Sequence, residues 1–260
     1  MDLELTGKRA LVTGATRGIG RAIAERLAEE GCALAICARD AVAVEAAAGE
    51  LRARGVTVHA GAVDITDATA LERFVADAGV ALGGLDLLVA NAGGSAGGSR
   101  LEETDAEDWR TTLELNVVHA AVAARAAVPL MRSAGGGAMV FIASISGSRP
   151  QPGAQYAAAK AAEIHLAVSL GRELGPDNIR VTALSPGSIL FPDGGWDQRR
   201  DREPEEFAQW VRDEFPLGRL GSVEEVADVA CFLLSARASW ISGTNVVVDG
   251  AQNQPGMAGW

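Results

Sequence analysis

Short strand-like segments alternate with longer helix-like segments along almost the whole chain, and this alternation restricts the fold more than any other feature. The strand-like segments are mostly apolar and cover residues 9–13, 33–37, 57–63, 85–90, 138–143, 179–184 and 245–248. The helix-like segments are rich in Ala, Leu, Glu and Arg, and they cover residues 19–30, 41–54, 68–81, 107–132, 155–174 and 223–235. Because strands and helices alternate, the pattern predicts an α/β fold with a parallel sheet and helices on both faces.

Local signals mark several helix ends. Gly31 follows the first helix-like segment at the position that a left-handed C-terminal residue occupies. The spacings Thr104-x-x-Glu107 and Ser222-x-x-Glu225 are typical of capping boxes and predict two helix starts.

Two segments interrupt the alternation. Residues 93–100 are rich in glycine and predict a flexible loop. Residues 188–221 include Trp196 and Trp210 and show no strand pattern. A long irregular stretch in a compact α/β domain is often a substrate lid. Since no internal repeat or Pro/Gly/Ser-rich linker separates two units, we predict one domain over residues 1–260 with a lid at about 188–221.

Composition restricts the partners and the compartment. The formal net charge of −11 at pH 7 argues against nucleic acid or an anionic membrane surface as a partner. The N-terminus lacks the parts of a signal peptide, and no uninterrupted apolar run reaches membrane-spanning length. Cys32, Cys37 and Cys231 lack metal-ligand spacing, and their odd number fits a reducing compartment. We therefore expect a cytoplasmic protein.

A glycine-rich stretch joins the first predicted strand to the first predicted helix. It reads Thr-Gly-Ala-Thr-Arg-Gly-Ile-Gly over residues 13–20. Glycines at such a turn allow the backbone to approach a pyrophosphate closely, and a helix N-terminus favours its negative charge. The spacing Gly-x-x-x-Gly-x-Gly differs from the more common Gly-x-Gly-x-x-Gly, but its strand–turn–helix context favours a nucleotide site.

The end of the second predicted strand bears on the choice of cofactor. NAD-binding folds place an acidic residue here to bind the ribose 2′-hydroxyl, whereas a 2′-phosphate requires a cation. Ala38 leaves the acidic position empty, and Arg39 and Arg17 can flank a phosphate together. Asp40 is the alternative, since its carboxylate can bind the ribose of NAD. We favour NADP(H) over NAD(H).

Polar residues and turn-forming residues follow four further predicted strands. Asp64 follows the third strand, Asn91-Ala92-Gly93 the fourth, Ser144 the fifth and Pro186-Gly187 the sixth. The carboxyl ends of parallel strands form one edge of a sheet, where ligands bind in open α/β folds. We therefore expect these residues and the glycine-rich stretch to share one site.

Tyr156 and Lys160 carry the strongest chemical signal. In a helix, residues i and i+4 project from the same face, one turn apart. An ammonium group beside a phenol favours the phenolate, which makes tyrosine a usable acid or base near neutral pH. Tyr156 is the only tyrosine in the chain.

Together these motifs resemble the classical short-chain dehydrogenase/reductase family, from about residue 5 to residue 250. The carrying motifs are the stretch 13–20, Asn-Ala-Gly at 91–93, Asn116, Ser144, Tyr156-x-x-x-Lys160 and Pro186-Gly187. The resemblance implies a doubly wound Rossmann-type domain with a seven-stranded, mostly parallel sheet and a nicotinamide cofactor. It also implies a catalytic set of Asn116, Ser144, Tyr156 and Lys160.

The resemblance assigns a role to each member of this set. Tyr156 would be the general acid in reduction and the general base in oxidation, while Lys160 would favour its phenolate and bond the nicotinamide ribose. Ser144 would hydrogen-bond the carbonyl oxygen and stabilise the alkoxide. Asn116 would hold a water molecule that links Lys160 to solvent.

The resemblance also implies the cofactor contacts. Asp64 would meet the adenine edge, Asn91 the adenosine ribose region and Ile189 the carboxamide. The predicted cofactor-binding set is Gly14, Thr16, Arg17, Gly18, Ile19, Gly20, Arg39, Asp64, Ile65, Asn91, Ala92, Gly93, Tyr156, Lys160, Pro186, Gly187 and Ile189. No metal site is predicted, since His59, His119 and His165 lack ligand spacing and are expected to be structural or surface residues.

The chain departs from the family pattern at two places. Ser144 lies twelve residues before Tyr156 instead of the usual thirteen. Either the intervening loop is one residue shorter, or Ser146 lies nearer the substrate. Phe191 stands where a Ser or Thr often helps to hold the cofactor.

The predicted function is an NADP(H)-dependent oxidoreductase that interconverts a ketone and a secondary alcohol. Similarity to 3-oxoacyl-[acyl-carrier-protein] reductases makes a 3-oxoacyl thioester one candidate substrate, and Leu190, Phe191 and Trp196 suggest a partly apolar one. The alternatives are an NAD-dependent alcohol dehydrogenase of the same family and a non-catalytic nucleotide-sensing protein on the same fold. An epimerase or dehydratase of the extended branch fits the glycine spacing and compact length less well.

The family resemblance also implies a homotetramer or homodimer. The helix-like segments 107–132 and 155–174 would pair with their copies around a twofold axis. The other expected partner is a small carbonyl or alcohol substrate.

Overall fold

A computed structural model describes residues 1–252 of the chain, so the last residues of the predicted domain, 253–260, lie outside the described part. The strands are β1 (Arg9–Thr13), β2 (Ala33–Ala38), β3 (Val58–Ala62), β4 (Leu87–Ala90), β5 (Gly137–Ile142), β6 (Ile179–Pro186), β7 (Ile189–Leu190), β8 (Gly221–Ser222) and β9 (Thr244–Val248). The helices are α1 (Gly18–Glu29), α2 (Ala41–Arg52), α3 (Ala68–Leu82), α4 (Ala106–Leu113), α5 (His119–Ser133), α6 (Ala154–Glu173), α7 (Gly195–Arg202), α8 (Pro204–Glu214) and α9 (Val223–Leu234).

Seven strands form one sheet in the order β3-β2-β1-β4-β5-β6-β9, and every neighbouring pair is parallel. This confirms the predicted α/β fold and its seven strands. Val12 of β1 pairs with Ile36 on β2 and with Val89 on β4. The strand order reverses between β1 and β4, and open sheets of this kind bind ligands at such a switch point.

The sheet is buried on both faces, as a parallel sheet must be. Side chains alternate along β1, so that Val12 packs with Leu27 of α1 on one face. Leu11 packs on the other face with Phe141 and with Phe74 of α3. Helices α1, α2 and α9 cover the first face, and α3, α5 and α6 cover the second.

The helix-end predictions have mixed outcomes. Gly31 has a φ of +80° just beyond α1, as predicted. The Ser222–Glu225 capping box is present at the start of α9. The Thr104–Glu107 box is wrong, because the chain starts α4 one residue later, with Asp105 as the cap.

The predicted helix 107–132 is also modified. A short π-helical segment at Glu114–Val118 separates α4 from α5, although the chain stays helical throughout. The side-chain amide of Asn116, inside this segment, donates to the carbonyl oxygens of Thr112 and Gly94, both at 2.7 Å. Short π-helical segments occur often at functional sites, and this one places Asn116 behind the loop that contains Gly94.

By length and apolar composition alone, the helical stretch Ala106–Ser133 is able to cross a membrane. This qualifies the sequence prediction that no apolar run is long enough. Within the stretch, Ala123, Ala127 and Met131 of α5 are buried in the core that α3 and the sheet share. Core helices of this kind pass the same two criteria, so the finding is weak evidence for a membrane span.

The 188–221 segment contains two helices, α7 and α8, so the prediction of an irregular stretch is wrong there. Its own small core consists of Phe207, Phe215 and Leu220. Trp196 of α7 stacks on Trp210 of α8 with ring centroids 4.5 Å apart. Pro204 occupies the first turn of α8, where proline is well tolerated.

Candidate active site

A cavity of about 1130 Å³ opens at the carboxyl ends of the strands, where the sequence predicted a shared site. Its wall includes every predicted catalytic and cofactor-binding residue except Asp64 and Asn116. The glycine-rich stretch, the end of β4, Ser144, and the Tyr156–Lys160 pair therefore lie around one space. Part of the 188–221 segment closes it on the other side.

The glycine-rich stretch allows neighbouring groups to come close to its backbone. Gly14 has a φ of +68°, which disfavours any side chain. A methyl group on Gly20 would lie 2.2 Å from the side-chain nitrogen of Asn91. That nitrogen donates to the carbonyl oxygens of Thr13 (2.9 Å) and Gly14 (3.1 Å). Asn91 thus ties the end of β4 to the stretch, and its amide donors are engaged there.

Two arginines at the other end of the cavity have no acidic partner. Within residues 1–252, no carboxylate forms a salt bridge with Arg17 or Arg39, and both side chains are exposed. Asp40 also lines the cavity, and its Oδ1 caps α2 by accepting from the backbone N–H groups of Val42 (2.9 Å) and Ala43 (3.1 Å). This arrangement leaves two cations available for a phosphate.

Asp64 lies beside the cavity but not in its wall, whereas Ile65 lines it. The Asp64 carboxylate accepts from the backbone N–H of Thr66 at 3.0 Å and from its hydroxyl at 2.8 Å. These hydrogen bonds, with a smaller effect of Arg39, hold the pKa of Asp64 below its ordinary value. Its predicted contact with adenine remains a prediction.

Lys160 is almost wholly buried, with 3% of its side chain exposed. Its Nζ lies 5.8 Å from the centroid of the Tyr156 ring and donates to the carbonyl oxygen of Ile142 at 2.7 Å. It also forms an ion pair with Glu163 at 2.6 Å, which sequence reasoning missed. Burial alone would lower the pKa of Lys160, but the Glu163 carboxylate outweighs burial and the pKa is raised. The i,i+3 spacing from Lys160 was the signal that could have revealed Glu163.

The structure separates the two serines. Ser144 lines the cavity, whereas Ser146 is absent from its wall. The backbone N–H of Ser146 donates to the Ser144 hydroxyl at 3.1 Å, and the short helical turn Ile145–Gly147 begins there. Of the two alternatives that the shorter spacing to Tyr156 left open, the geometry therefore favours Ser144.

The remaining polar residues that the sequence analysis singled out lie outside the cavity wall. Asn116 is fully buried and contacts the loop backbone, so its proposed water is not assigned by the geometry. His119 is also fully buried, and burial lowers the pKa of its imidazole to about 3. His59 stacks on Phe74, and His165 is exposed. Within residues 1–252 no cluster of three or more potential metal ligands occurs.

The 188–221 segment contributes two arginines to the wall that sequence reasoning missed, together with Phe191, which it named. Arg199 and Arg202 of α7 line the cavity, and Arg199 stacks over the Trp210 ring at 4.9 Å. Phe191 packs on the glycine-rich stretch, since a methyl group on Gly18 would lie 3.0 Å from its ring. The positions of Arg199 and Arg202 depend on how the segment folds, and no local sequence pattern predicted that fold.

Gln252 is a further residue that sequence reasoning missed. Its side chain accepts from the Ser188 N–H at 2.7 Å and donates to the Ser188 hydroxyl at 2.9 Å. A methyl group on Gly187 would lie 2.7 Å from the same amide oxygen, so the glycine makes this approach feasible. Gln252 thus fixes the chain between β6 and β7, at the edge of the cavity. Nothing in the local sequence links two residues so far apart.

A parallel sheet with a glycine-rich turn at its switch point, facing a phenol–ammonium pair, defines a nucleotide-binding oxidoreductase of the α/β class. A family model described as enoyl-(acyl carrier protein) reductase matches residues 14–252. The chain belongs to the classical short-chain dehydrogenase/reductase family, whose members are NAD(P)-dependent and act on CH–OH groups.

Named relatives agree with this assignment. The chain is 38% identical over 249 residues to dehydrogenase/reductase SDR family member 4 of Homo sapiens, covering 95% of this chain and 87% of that protein. It is 32% identical over 259 residues to isoepoxydon dehydrogenase of Penicillium expansum, covering 95% of each.

Two solved structures are similar over nearly the full chain. L-Sorbose reductase from Gluconobacter frateurii, complexed with NADPH and L-sorbose, has a TM-score of 0.91 and 35% identity, covering 98% of this chain and all of that one. A 7α-hydroxysteroid dehydrogenase, complexed with NADH and 7-oxo glycochenodeoxycholic acid, has a TM-score of 0.89 and 34% identity, covering 98% and 97%.

Proposed function

We propose that this enzyme uses NADP(H) to interconvert a ketone and a secondary alcohol. The observation that carries the proposal is the shared cavity: Ser144, Tyr156 and Lys160 line one part of it, and Arg17 and Arg39, which form no salt bridge within residues 1–252, line another. Ser144, Tyr156 and Lys160 are suited to proton transfer to a substrate oxygen. Arg17 and Arg39 are suited to binding an anion such as the 2′-phosphate of NADP(H).

The residues present fit a nicotinamide dinucleotide. The glycine-rich stretch lines the cavity at the N-terminus of α1, which favours a pyrophosphate, and the missing side chain at Gly20 lets Asn91 pack against the stretch. Lys160 has one N–H left on the cavity side after its bonds to Ile142 and Glu163, which suits a ribose hydroxyl. When bound, the nicotinamide supplies a hydride to the carbonyl carbon or accepts one from the alcohol.

Side chains of the protein transfer the proton and stabilise the charges that result. In reduction, the Tyr156 hydroxyl donates its proton to the carbonyl oxygen, which becomes the alcohol, and the ammonium of Lys160 stabilises the phenolate left behind. The Ser144 hydroxyl donates a hydrogen bond to the same oxygen as negative charge develops on it. In oxidation, the Tyr156 phenolate takes the alcohol proton.

The preference for NADP(H) follows from charge. Arg17 and Arg39 form no salt bridge within residues 1–252, although Arg39 lies near enough to Asp64 to lower its pKa, and the Oδ1 of Asp40 already accepts two backbone hydrogen bonds. The two similar structures do not decide the question, because one was solved with NADPH and the other with NADH. An NAD-dependent alcohol dehydrogenase of the same family is therefore the second candidate, and Asp40 is the residue that favours it.

Fluorescence titration of the purified protein with NADPH and, separately, NADH tests the preference. We expect clearly tighter binding of NADPH, and Arg39→Ala should weaken it by about tenfold or more while changing NADH binding little. Arg110→Ala, at an exposed position on α4, is the matched control. Equal weakening of both cofactors by Arg39→Ala would refute the phosphate role and favour NAD.

The comparisons leave the substrate class wide. The two similar enzymes were solved with a sugar and with a 7-oxo bile acid, so family membership does not select a size or polarity. Phe191 and Trp196 line the cavity and favour a partly apolar substrate, whereas Leu190 packs into the core of the 188–221 segment instead. A 3-oxoacyl thioester remains one candidate, with the 188–221 segment as its lid.

A homotetramer or homodimer is part of the proposal. Leu113, Val118 and Val168, on and near the helices predicted to pair, are exposed apolar side chains of the single chain. Burial of such a surface against a second copy is a common use of exposed apolar patches. Sedimentation of the protein at the mass of a single chain would contradict this part.

A further inference from the structure

Glu163 is a buried acid that the proposed reaction does not use. It lies on α6 three residues after Lys160, and no part of its side chain is exposed. Its Oε2 lies 2.6 Å from the Nζ of Lys160. Within residues 1–252, Lys160 is its one hydrogen-bond donor, and the second carboxylate oxygen has no partner. The carboxylate therefore acts on Lys160 and on little else.

The ion pair restricts what Lys160 can do. An ammonium group has three N–H donors. One of them bonds the Ile142 carbonyl oxygen at 2.7 Å, and a second bonds Glu163. A methyl group on Gly93 would lie 3.5 Å from the Nζ, so the ammonium lies directly behind the loop that ends β4. These two bonds fix the position of the charge before any ligand binds.

The ion pair also changes the field at Tyr156. The Nζ of Lys160 is 5.8 Å from the Tyr156 ring centroid, and a lone ammonium at that distance favours the phenolate. A carboxylate bonded to the same ammonium acts in the opposite direction. Burial raises the pKa of Glu163 to about 6 although Lys160 opposes the change, so the carboxylate is ionised in the alkaline range in which a phenol titrates.

Other ionisable groups on the surrounding elements are neutral, exposed or engaged elsewhere. The buried His119 on α5 is neutral at neutral pH, since its pKa is about 3. Strands β5 and β9 and the turn Ile145–Gly147 contain no ionisable side chain. Arg180 of β6 donates to the carbonyl oxygens of Leu233, Ser235 and Ile241. Asp177 is paired with Arg132, Glu107 is paired with Arg110 at the surface, and Asp108 accepts from the Asp105 N–H. The remaining ionisable side chains are exposed, namely Glu114, His165, Arg172 and Glu173.

We propose that Glu163 is a positioning residue for Lys160, which anchors the ammonium beside Ile142 and offsets part of the positive charge that acts on Tyr156. The inference rests on the proposed function, in which Tyr156 is the acid and base. Through Lys160, Glu163 sets the pH range in which the phenol carries its proton.

The single tyrosine of the chain makes a direct test feasible. Ultraviolet difference absorbance of the phenolate, followed during an alkaline titration, reports on Tyr156 alone, since no other tyrosine is present. Glu163→Gln keeps the size and a hydrogen-bond acceptor for Lys160 but removes the charge. We expect the titration midpoint to fall by roughly one pH unit, because a unit charge a few ångströms away is unmasked.

Two further variants separate charge from packing. Glu163→Met also removes the charge and should lower the midpoint in the same direction, so it serves if the first variant does not fold. Glu163→Asp restores a carboxylate and should bring the midpoint back toward that of the unmodified protein. Glu173→Gln, at an exposed position near the end of the same helix, is the control and should leave the midpoint unchanged.

The titration needs neither cofactor nor substrate, so its outcome is independent of turnover. A midpoint that stays the same or rises in the two neutral variants would overturn the proposal. A lowered midpoint together with no turnover of any carbonyl or alcohol would leave the role of Glu163 standing and reject the proposed function. If turnover is found, the acid limb of the pH profile for alcohol oxidation should move to lower pH in Glu163→Gln.

Discussion

Helix α6 and the 188–221 segment line the same cavity, but they are held in place differently. On α6, the Lys160 ammonium is buried and bonded to a backbone carbonyl and a carboxylate, within the main core of the sheet. The 188–221 segment has a small core of its own. Several of its charged pairs, such as Arg200 with Asp197, lie at the surface.

The difference shows which part of the site is set before a ligand binds. Exposed ion pairs contribute little to stability, and segments with few buried contacts open at lower cost than the core. We therefore infer that the proposed acid–base end (Ser144, Tyr156 and Lys160) is held in place by the fold, and we expect the 188–221 segment to open more easily. We expect substitutions at the first to reduce the chemical step, and substitutions in the second to change substrate binding.

The largest effect should come from Tyr156→Phe, which removes the proton donor without changing the ring. We expect turnover to fall by about 10²–10⁴-fold or more, while the binding of NADPH changes little. Steady-state rates and fluorescence titration measure the two quantities separately. A variant that retains full activity would show that the acid–base end has been assigned wrongly.

Ser144→Ala should rank second, with turnover reduced by about 10²-fold, because a hydrogen bond to the developing negative charge is lost. Ser146→Ala is the comparison variant: its hydroxyl lies outside the cavity wall but accepts from the Ser144 hydroxyl at 3.2 Å, so we expect a smaller loss of turnover. Rates for both variants at saturating cofactor make the comparison. The reverse order of effects would place Ser146, and not Ser144, against the substrate.

Trp210→Ala tests the other region. The Trp210 ring stacks on Trp196 at 4.5 Å and meets Phe215 edge-on at 4.9 Å, so its loss should loosen α7 against α8. We expect KM for an apolar substrate to rise by roughly tenfold with a much smaller change in kcat, because such aromatic pairs each contribute about 1 kcal/mol. Trp240→Ala, at a side chain that is 99% exposed, should change neither value. A large loss of kcat with unchanged KM would contradict the division between the two regions.

Glu225→Gln should have the smallest effect. Arg219, with the Ser222 N–H, lowers the pKa of Glu225 from its ordinary value of 4.5 to about 2, but the pair is largely exposed. We expect a loss of less than about 1 kcal/mol in the free energy of unfolding at neutral pH. Because the folded-state pKa is lowered, this contribution is present above pH 4.5 and disappears as the pH falls toward 2. Urea unfolding at neutral and acid pH measures it, and a constant difference at both would refute the pairing.

The sequence was most informative where structure depends on neighbouring residues. The glycine-rich stretch, the strands and the Tyr156–Lys160 pair are local patterns, and the fold places them as predicted at one edge of the sheet. Helix α7 escaped prediction because its residues are polar on nearly all sides, so it has no apolar stripe. Gln252 contacts Ser188, and Asn116 contacts the carbonyl oxygen of Gly94, only through the completed fold.

The most direct test of the account is the change in reduced-nicotinamide absorbance when the purified enzyme is mixed with NADPH and a series of ketones, from sugars to steroids and 3-oxoacyl thioesters. We predict that at least one ketone is converted to its secondary alcohol with matching loss of NADPH, and that Tyr156→Phe abolishes the reaction. Tight NADPH binding without turnover of any ketone, or of any alcohol with NADP⁺, would contradict the account and favour a nucleotide-sensing protein on the same fold.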